Sequence, residues 1–196
     1  MAIWIGDRLI LAAPADPEYL RRDPRAILMS AGQAFGTGTH PTTQMCLVEL
    51  QANLQEGDRV LDVGSGSGIL AIAAAKLGAA AVVALDRSIP ACRVSHANVS
   101  RNELAKLVTV LAGSPEVLGP GARFDLVLAN LDTAADAAYW LPTLSRLCRG
   151  GGKIVLSGFQ PPGEGRVQQA LDKANLARRT RRTLEGWITL VLEKPA

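Results

Sequence analysis

A glycine-rich segment, VLDVGSGSG at positions 60–68, follows a short aliphatic run and leads into a stretch of helical period. In a doubly wound sheet, this order of strand, glycine loop and helix forms the ligand site, because glycines let the backbone approach the ligand closely. Asp86 ends the next aliphatic run, 22 positions after Gly64, which suits a carboxylate that accepts the hydroxyls of an adenosine ribose. We therefore predict a nucleoside site that includes Gly64, Gly66, Gly68 and Asp86.

The spacing of the three glycines narrows the class of ligand. A nicotinamide fingerprint, G-x-G-x-x-G, would place its third glycine at the position of Ile69, and no Gly-Lys-Ser or Gly-Lys-Thr is present to grip a triphosphate. The pattern G-x-G-x-G followed by a strand-end acid is typical of Rossmann-like enzymes that use S-adenosylmethionine. The alternatives are a tight strand-to-helix turn for the glycines and a capping role for Asp86.

The segment AFGTGTHPTT at positions 34–43 leads into another helical stretch. Pro41 suits the first turn of a helix, and the hydroxyls of Thr39, Thr42 and Thr43 can cap its free N–H groups. A capped helix entry is therefore one interpretation. Because the density of glycine and threonine exceeds what one cap requires, we expect this segment to contribute to the ligand site as well.

Two polar side chains close to the glycine motif are candidates for ligand contact. Asn130 ends the fourth predicted strand, where ligands of such sheets bind, and its side-chain oxygen can accept an N–H from an amine. The alternative is an Asx turn that closes the strand. Asp62 lies inside the glycine motif, where it could bind the ammonium group of a cofactor or accept N–H bonds from the loop itself. We weigh these two roles equally.

The histidines and cysteines are too few and too scattered for a metal centre or a disulfide framework. The only histidines are His40, which we expect to orient or line the site, and His96, which we expect at the surface. Cys46, Cys92 and Cys148 are odd in number and lie more than 40 positions apart. We predict no metal, and a reducing cytoplasm fits best.

Short aliphatic runs alternate with helical stretches over most of the chain, a pattern that predicts a parallel sheet covered by helices. The last two runs, 176–183 and 187–193, are separated only by a Glu-Gly turn, which indicates a hairpin. We predict an α/β fold with a seven-stranded, mostly parallel, doubly wound sheet and an antiparallel C-terminal hairpin. The parallel strands are predicted at 60–63, 81–85, 108–111, 124–129 and 154–157, and the helices at 68–77, 89–102, 134–148 and 165–174.

The first part of the chain does not follow that alternation. A strand-like start at 2–11 precedes a connector at 14–25 that is rich in Pro, Asp and Arg, so we predict an N-terminal strand and linker at 1–33 and one domain at 34–196. A chain of 196 residues, 48% hydrophobic, suits a single globular core. The longest apolar run, 69–75, is far shorter than the ~20 residues that span a bilayer, so we expect no membrane segment.

Three motifs, in this order, resemble those of the bacterial PrmA-type family, which methylates ribosomal protein L11. They are AFGTGTHPTT at 34–43, LDVGSGSGILAIAA at 61–74 and ANL at 129–131, and the likeness runs from about position 6 to 194. The resemblance implies a Rossmann-like, S-adenosylmethionine-dependent methyltransferase that acts on a protein amine, either a lysine or an amino terminus. Family members usually carry an N-terminal substrate-recognition domain, so we expect here the catalytic domain only.

The resemblance also implies roles for individual residues. Thr43, Gly64, Asp86 and Asn130 match cofactor-binding positions of the family, and the loop around positions 35–37 would fold over the methionine end of the cofactor. Asn130 is the predicted catalytic residue. The predicted cofactor contacts are Phe35, Gly36, Thr37, Thr43, Asp62, Gly64, Gly66, Gly68, Asp86 and Asn130.

This chain departs from the family pattern at two places near the site. After Asn130 it has LDTAAD, where the family tends to be more apolar and to contain proline. After Asp86 it has Arg87 and Ser88, where a second acid is common. We expect the first departure to affect the acceptor pocket and the second to affect the adenine rim while leaving the ribose contact.

A basic run, Arg178, Arg179, Arg181 and Arg182, enters the last hairpin. It could contact the phosphates of an RNA, or it could protect a solvated edge strand from pairing with another chain. The formal net charge of +3 is too small to identify a polyanionic partner. Besides protein methylation, the sequence leaves open methylation of RNA or of a small molecule, and a cofactor-binding module without turnover.

Overall fold

Ten strands form two sheets in the computed structural model, which describes residues 2–29 and 38–196. The smaller sheet has three strands in the order β1-β2-β3, and the larger has seven in the order β6-β5-β4-β7-β8-β10-β9. The strands are β1 (Ile3–Ile5), β2 (Leu9–Ala12), β3 (Ala26–Leu28), β4 (Arg59–Val63), β5 (Ala81–Asp86), β6 (Val108–Ala112), β7 (Phe124–Asn130), β8 (Cys148–Phe159), β9 (Ala177–Leu184) and β10 (Trp187–Glu193).

Six α-helices connect these strands, and a short 3-10 helix, Pro115–Val117, follows β6. Within the described ranges, no helix combines the length and the apolar character needed to cross a membrane. The helices are α1 (Glu18–Arg21), α2 (Pro41–Asn53), α3 (Ile69–Lys76), α4 (Ile89–Arg101), α5 (Ala134–Leu147) and α6 (Pro161–Ala174).

The large sheet has a core on each face, because successive side chains of a strand point to opposite sides. On one face Val60 packs in a cluster with α2, α3 and the small sheet, and on the other Leu61 packs in a cluster with α5 and α6. Strands β4 to β8 pair in parallel, and β10 pairs antiparallel with both β8 and β9. The predicted α/β fold with seven strands and a C-terminal hairpin is confirmed.

Two elements begin earlier than their sequence patterns predict. Strand β8 begins at Cys148, six residues before the prediction. Gly151 N donates to Lys194 O at 2.9 Å and Lys194 N donates to Gly152 O at 3.0 Å, so the glycine-rich stretch at 150–152 is paired backbone. Helix α6 begins at Pro161, four residues before the prediction, since prolines suit a first turn whose N–H groups lack helical partners.

The N-terminal part is a small sheet, and the prediction of one strand over 2–11 is wrong. Gly6, with φ of +56°, lies in a turn that folds β1 back on β2, and β3 then pairs in parallel with β2. The predicted connector contains α1. Leu9, Leu11 and Ile27 are buried in the same cluster as α3, so the small sheet packs on the large one. The boundary at 33/34 stays a prediction.

Gly158 in β8 fixes the end of β7 by close backbone approach. Its φ is +99°, and a Cβ there would lie 1.4 Å from Leu131 O. The two strands also share a hydrogen bond from Leu131 N to Ser157 O at 3.0 Å. Only glycine fits this contact, which sets where Asn130 lies at the edge of the sheet.

We expect Gly158→Ala to reduce the free energy of unfolding by about 2–5 kcal/mol, the sum of a positive-φ cost and of overpacking against the backbone. Gly57→Ala is the matched control, since Gly57 has φ of +88° but nothing within 4 Å of a built Cβ. It should cost only about 1–2 kcal/mol. Urea unfolding of both variants checks this, and equal losses would contradict the close-approach argument.

Candidate active site

One cavity of about 610 Å³ opens at the carboxyl ends of β4 to β7, the edge where sheets of this kind bind ligands. Five of the predicted site residues line it, from four separate parts of the sequence: Thr43, Gly64, Gly66, Asp86 and Asn130. The remaining lining residues are Val63, Ser65, Ile69, Leu70, Leu85, Arg87, Ser88, Pro90, Ala91, Val94, Gly113, Ser114, Pro115, Leu131, Asp132, Asp136 and Trp140.

The loop after β4 is hydrogen-bonded to the end of β5. The N–H groups of Gly64 and Ser65 donate to Leu85 O at 2.8 and 3.1 Å, and Gly66 N donates to the Asp86 carboxylate at 2.8 Å. Gly64 and Gly66 have φ of +69° and +53°, a conformation that glycine adopts at little cost. The two glycines therefore bring the backbone of the loop to the cavity wall.

Asp86 has both carboxylate oxygens engaged with backbone. Oδ2 accepts from Gly66 N, and Oδ1 accepts from Ser88 N, both at 2.8 Å. Neither bond caps a helix, since the N-cap residue of α4 is Ser88, whose hydroxyl accepts from Ala91 N. An ionised carboxylate has about four acceptor positions, so two are left for ribose hydroxyls. Arg87 and Ser88 line the cavity beside Asp86. Their effect on the rim around an adenine stays a prediction.

Gly68 does not line the cavity but lies beneath it. A Cβ on Gly68 would lie 2.4 Å from the hydroxyl of Ser95 in α4. This glycine thus permits close packing of the loop on α4, and its direct contact with a cofactor stays a prediction.

Asp62 is buried under the loop, only 1% exposed, and is not among the lining residues. Its Oδ2 accepts from Ala71 N in the first turn of α3 at 3.1 Å, while Oδ1 has no partner among the described residues. Burial raises the pKa of this carboxyl to about 7. The hydrogen bond from Ala71 N lowers the pKa by a smaller amount, and the nearby charge of Asp86 adds to the rise. This bond is to helix α3 rather than to the loop, so both roles weighed for Asp62 stay predictions.

Thr43 and Asn130 meet across the cavity although 87 positions separate them. Asn130 Nδ2 donates to Thr43 Oγ1 at 3.5 Å, and Thr43 is buried in the first turns of α2. The bond fixes the amide so that its oxygen is the atom available to a ligand. The Asx-turn alternative is not needed to explain this side chain.

Helix α2 is capped by a histidine rather than by the predicted threonine hydroxyls. His40 is the N-cap residue, and its Nδ1 accepts from Thr42 N at 3.4 Å and lies 2.7 Å from Thr42 Oγ1. The His40 ring packs edge-on against Trp187 with 4.9 Å between ring centroids. His40 thus orients the helix that carries Thr43, and His96 is exposed as predicted.

Phe35, Gly36 and Thr37 lie outside the described residues. Their predicted cofactor contacts stay predictions.

Several lining residues had no part in the predicted site. Ser114 and Pro115 follow β6, so the rule that ligands bind at the carboxyl ends of strands could have found them. Asp136 and Trp140 lie one turn apart on α5, and they face the cavity because of how that helix packs. No local sequence signal shows that direction.

The four arginines of the C-terminal hairpin are all paired with carboxylates. Arg178 and Arg181 share Glu164, Arg179 binds Glu193, and Arg182 binds Glu49 of α2. The guanidinium of Arg181 lowers the pKa of Glu164, and that of Arg179 lowers the pKa of Glu193. Every residue of β9 is exposed. These ion pairs favour the interpretation that the basic run protects an edge strand from pairing with another chain. RNA contact stays a prediction.

In the part of the chain that the structure describes, no three His, Cys, Asp or Glu side chains are grouped so as to hold a metal ion. The three cysteines are buried free thiols.

We expect the raised pKa of Asp62 to make the ligand-free protein lose stability as pH rises from about 4 to about 7, since the folded state then binds more protons than the unfolded chain. Asp62→Asn removes this dependence. The variant's stability relative to the parent should rise by on the order of 2–3 kcal/mol between pH 5 and pH 8. Chemical unfolding across this pH range measures it, and a constant difference would contradict the assignment.

The chain is similar to known proteins in both sequence and structure. The family model described as ribosomal protein L11 methyltransferase (PrmA) matches residues 2–195. The ribosomal protein L11 methyltransferase of Chloroflexus aurantiacus is 38% identical over 97% of this chain and 65% of its own length. That of an Exiguobacterium species is also 38% identical, over 88% of this chain and 54% of its own length.

A solved structure described as ribosomal protein L11 methylase from Lactobacillus delbrueckii subsp. bulgaricus superposes with a TM-score of 0.87 at 27% identity, covering 100% of this chain and 99% of that one. More distant solved structures, at 13–21% identity and TM-scores of 0.60–0.68, share the fold alone. The chain spans 54–65% of the length of the two sequence relatives described above. It belongs to the ribosomal protein L11 methyltransferase (PrmA) family.

Proposed function

We propose that the chain binds S-adenosylmethionine in the 610 Å³ cavity and transfers its methyl group to a protein amine. The observation that carries this proposal is the meeting of Thr43, the glycine loop, Asp86 and Asn130 around one cavity, in a chain of a family described as methyltransferases. The volume lies within the range of about 300–1,000 Å³ that is usual for small-molecule sites.

A buried polar atom beside the loop fits a polar ligand. The hydroxyl of Ser65, a residue that lines the cavity, is buried without a partner among the described residues. Buried polar groups are nearly always hydrogen-bonded, so a ligand that bonds to this hydroxyl would lower its free energy. A Cβ on Gly64 would lie 3.3 Å from Leu131 Cδ2, so a larger residue there would crowd this side chain.

The other walls suit a nucleoside. Asp86 would accept the ribose hydroxyls with its remaining lone pairs, and Leu85, Pro115 and Trp140 offer apolar surface on which an adenine would pack. When bound, S-adenosylmethionine would supply a methyl group already activated by its sulfonium. Little acid or base chemistry is then required of the protein, and its main task is to position the acceptor.

Asn130 is the residue placed to orient that acceptor. Because its Nδ2 donates to Thr43, its Oδ1 can accept an N–H from an incoming amine. A lysine with an ordinary pKa near 10.4 is mostly protonated at neutral pH, so the pocket must favour the neutral amine by desolvation. The Asn130 oxygen would align the nitrogen lone pair, and the released proton would pass to solvent at the cavity mouth.

The substrate class follows from the family, because the relatives described above are named for ribosomal protein L11. We propose a protein amine, ribosomal protein L11 first among the candidates, and a reducing cytoplasmic setting in keeping with the free thiols. RNA contact through Arg178, Arg179, Arg181 and Arg182 would require these side chains to leave the carboxylates that they bind.

The test is incubation of the purified chain with methyl-labelled S-adenosylmethionine and either purified ribosomal protein L11, ribosomal RNA or whole bacterial lysate. We expect label that protease removes and ribonuclease does not. Label sensitive to ribonuclease would replace the protein substrate by RNA, and cofactor binding without label in any fraction would indicate a module without turnover.

Asp86→Ala should weaken cofactor binding by about 1.5–3 kcal/mol, roughly 10-fold to 150-fold, because hydrogen bonds to a charged group are lost. Asp125→Ala is the matched control. Asp125 also accepts a backbone N–H, from Arg59, and binds Arg149, but it lies at the opposite end of the sheet. Calorimetric titration with S-adenosylhomocysteine measures both variants. An unchanged affinity in Asp86→Ala would place the ribose contact elsewhere.

Asn130→Ala should lower turnover by about 100-fold or more while changing cofactor affinity by less than about threefold, since the oriented amine gains most in the transition state. Asn130→Asp should recover part of the activity, because a carboxylate also accepts N–H bonds. Single-turnover methylation at saturating cofactor is the measurement. Full activity in Asn130→Ala would exclude an orienting role.

A further inference from the structure

Asn98 of α4 and Asn102, the C-cap residue of that helix, lie four positions apart and are only 1% and 9% exposed. A buried amide costs free energy unless its polar atoms are hydrogen-bonded. Both side chains bond to backbone outside α4, which makes them connections between elements rather than ordinary core residues.

Asn102 pairs with both backbone groups of one residue in the small sheet. Its Oδ1 accepts from Leu28 N and its Nδ2 donates to Leu28 O, both at 2.9 Å. This copies the pairing that a neighbouring strand would make, on the edge of β3 away from β2. The same Nδ2 also donates to Asn98 O at 2.8 Å, so the small sheet is connected to the preceding turn of α4.

Asn98 continues the connection to the glycine loop. Its Nδ2 donates to Ser67 O at 2.9 Å, and its Oδ1 accepts from Arg101 at 3.1 Å. Ser67 lies between Gly66, which binds the Asp86 carboxylate, and Gly68, which packs on Ser95. The loop is thus bonded to β5 on its cavity side and to α4 on its far side.

We propose that Asn98 is a positioning residue for the cofactor and that Asn102 supports it: the two amides form a hydrogen-bonded connection from Leu28 through α4 to Ser67 O, and this connection sets the conformation of the glycine loop. The proposal rests on the proposed cofactor site. Neither amide lines the cavity, so both act through the backbone of the loop.

The test is Asn98→Asp, which keeps the size of the side chain but replaces the donor to Ser67 O by a carboxylate oxygen. We expect the KM for S-adenosylmethionine to rise by about tenfold while kcat stays within about threefold, because Asn130 and the acceptor are untouched. Val99→Ala is the control: Val99 is the next residue, 1% exposed and part of the core without a side-chain hydrogen bond. It should lower Tm without changing KM.

Asn102→Asp keeps the acceptor for Leu28 N and leaves the Asn98 bond to Ser67 in place, so a smaller rise in KM is expected. It also serves as the second variant if Asn98→Asp folds poorly. An unchanged KM in either variant when it is folded, or a rise in KM of the same size in Val99→Ala, would overturn the proposal.

Hydrogen exchange of the ligand-free protein separates this inference from the proposed function. Asn98→Asp should speed exchange in a peptide that covers residues 64–70, and Val99→Ala should not, whether or not the chain binds the cofactor. If the parent chain fails to bind S-adenosylmethionine, the proposed function fails. If exchange in 64–70 is unchanged in Asn98→Asp, the positioning connection fails.

Discussion

The site depends on the hydrogen bonds by which the end of β5 accepts the N–H groups of the glycine loop. Leu85 O accepts from Gly64 and Ser65, and the Asp86 carboxylate accepts from Gly66. These bonds satisfy donors that a sharp turn from strand to helix would leave unpaired, and they fix backbone angles that few residues other than glycine adopt. The rest of the cavity, including the end of β7, is placed around a loop whose shape these bonds determine.

The region under the loop has a stability cost that a purely structural domain would avoid. Asp62 is buried with one oxygen unpartnered and with the charge of Asp86 near enough to raise its pKa. The Ser65 hydroxyl is buried in a similar way. Local rules of packing are broken in this manner mainly where a protein binds something. The unpartnered hydroxyl of Ser65 is thus both a stability cost and a group to which a polar ligand can bond.

The order and type of the main elements could be predicted because aliphatic runs and helical periods are local signals. Gly64, Asp86 and Asn130 follow from the rule that strand ends converge, whereas Thr43, which lies in α2, was predicted from the family resemblance alone. What could not be predicted depends on distant partners. The role of Gly68 was missed because it is set by Ser95 of another helix. Likewise, the glycine-rich stretch at the start of β8 pairs with Lys194, which is distant in the sequence.

The pair formed by Arg182 and Glu49 has an energetic consequence for any polyanion that approaches the C-terminal hairpin. Glu49 is only 2% exposed and belongs to α2, the helix that carries Thr43. A phosphate that recruited Arg182 would leave this buried carboxylate with the Asn53 amide as its remaining side-chain partner among the described residues, which costs free energy. Glu49 therefore competes with anionic ligands for Arg182. An anion that bound Arg182 at the edge strand would destabilise α2, the helix that carries Thr43 and supports the cavity.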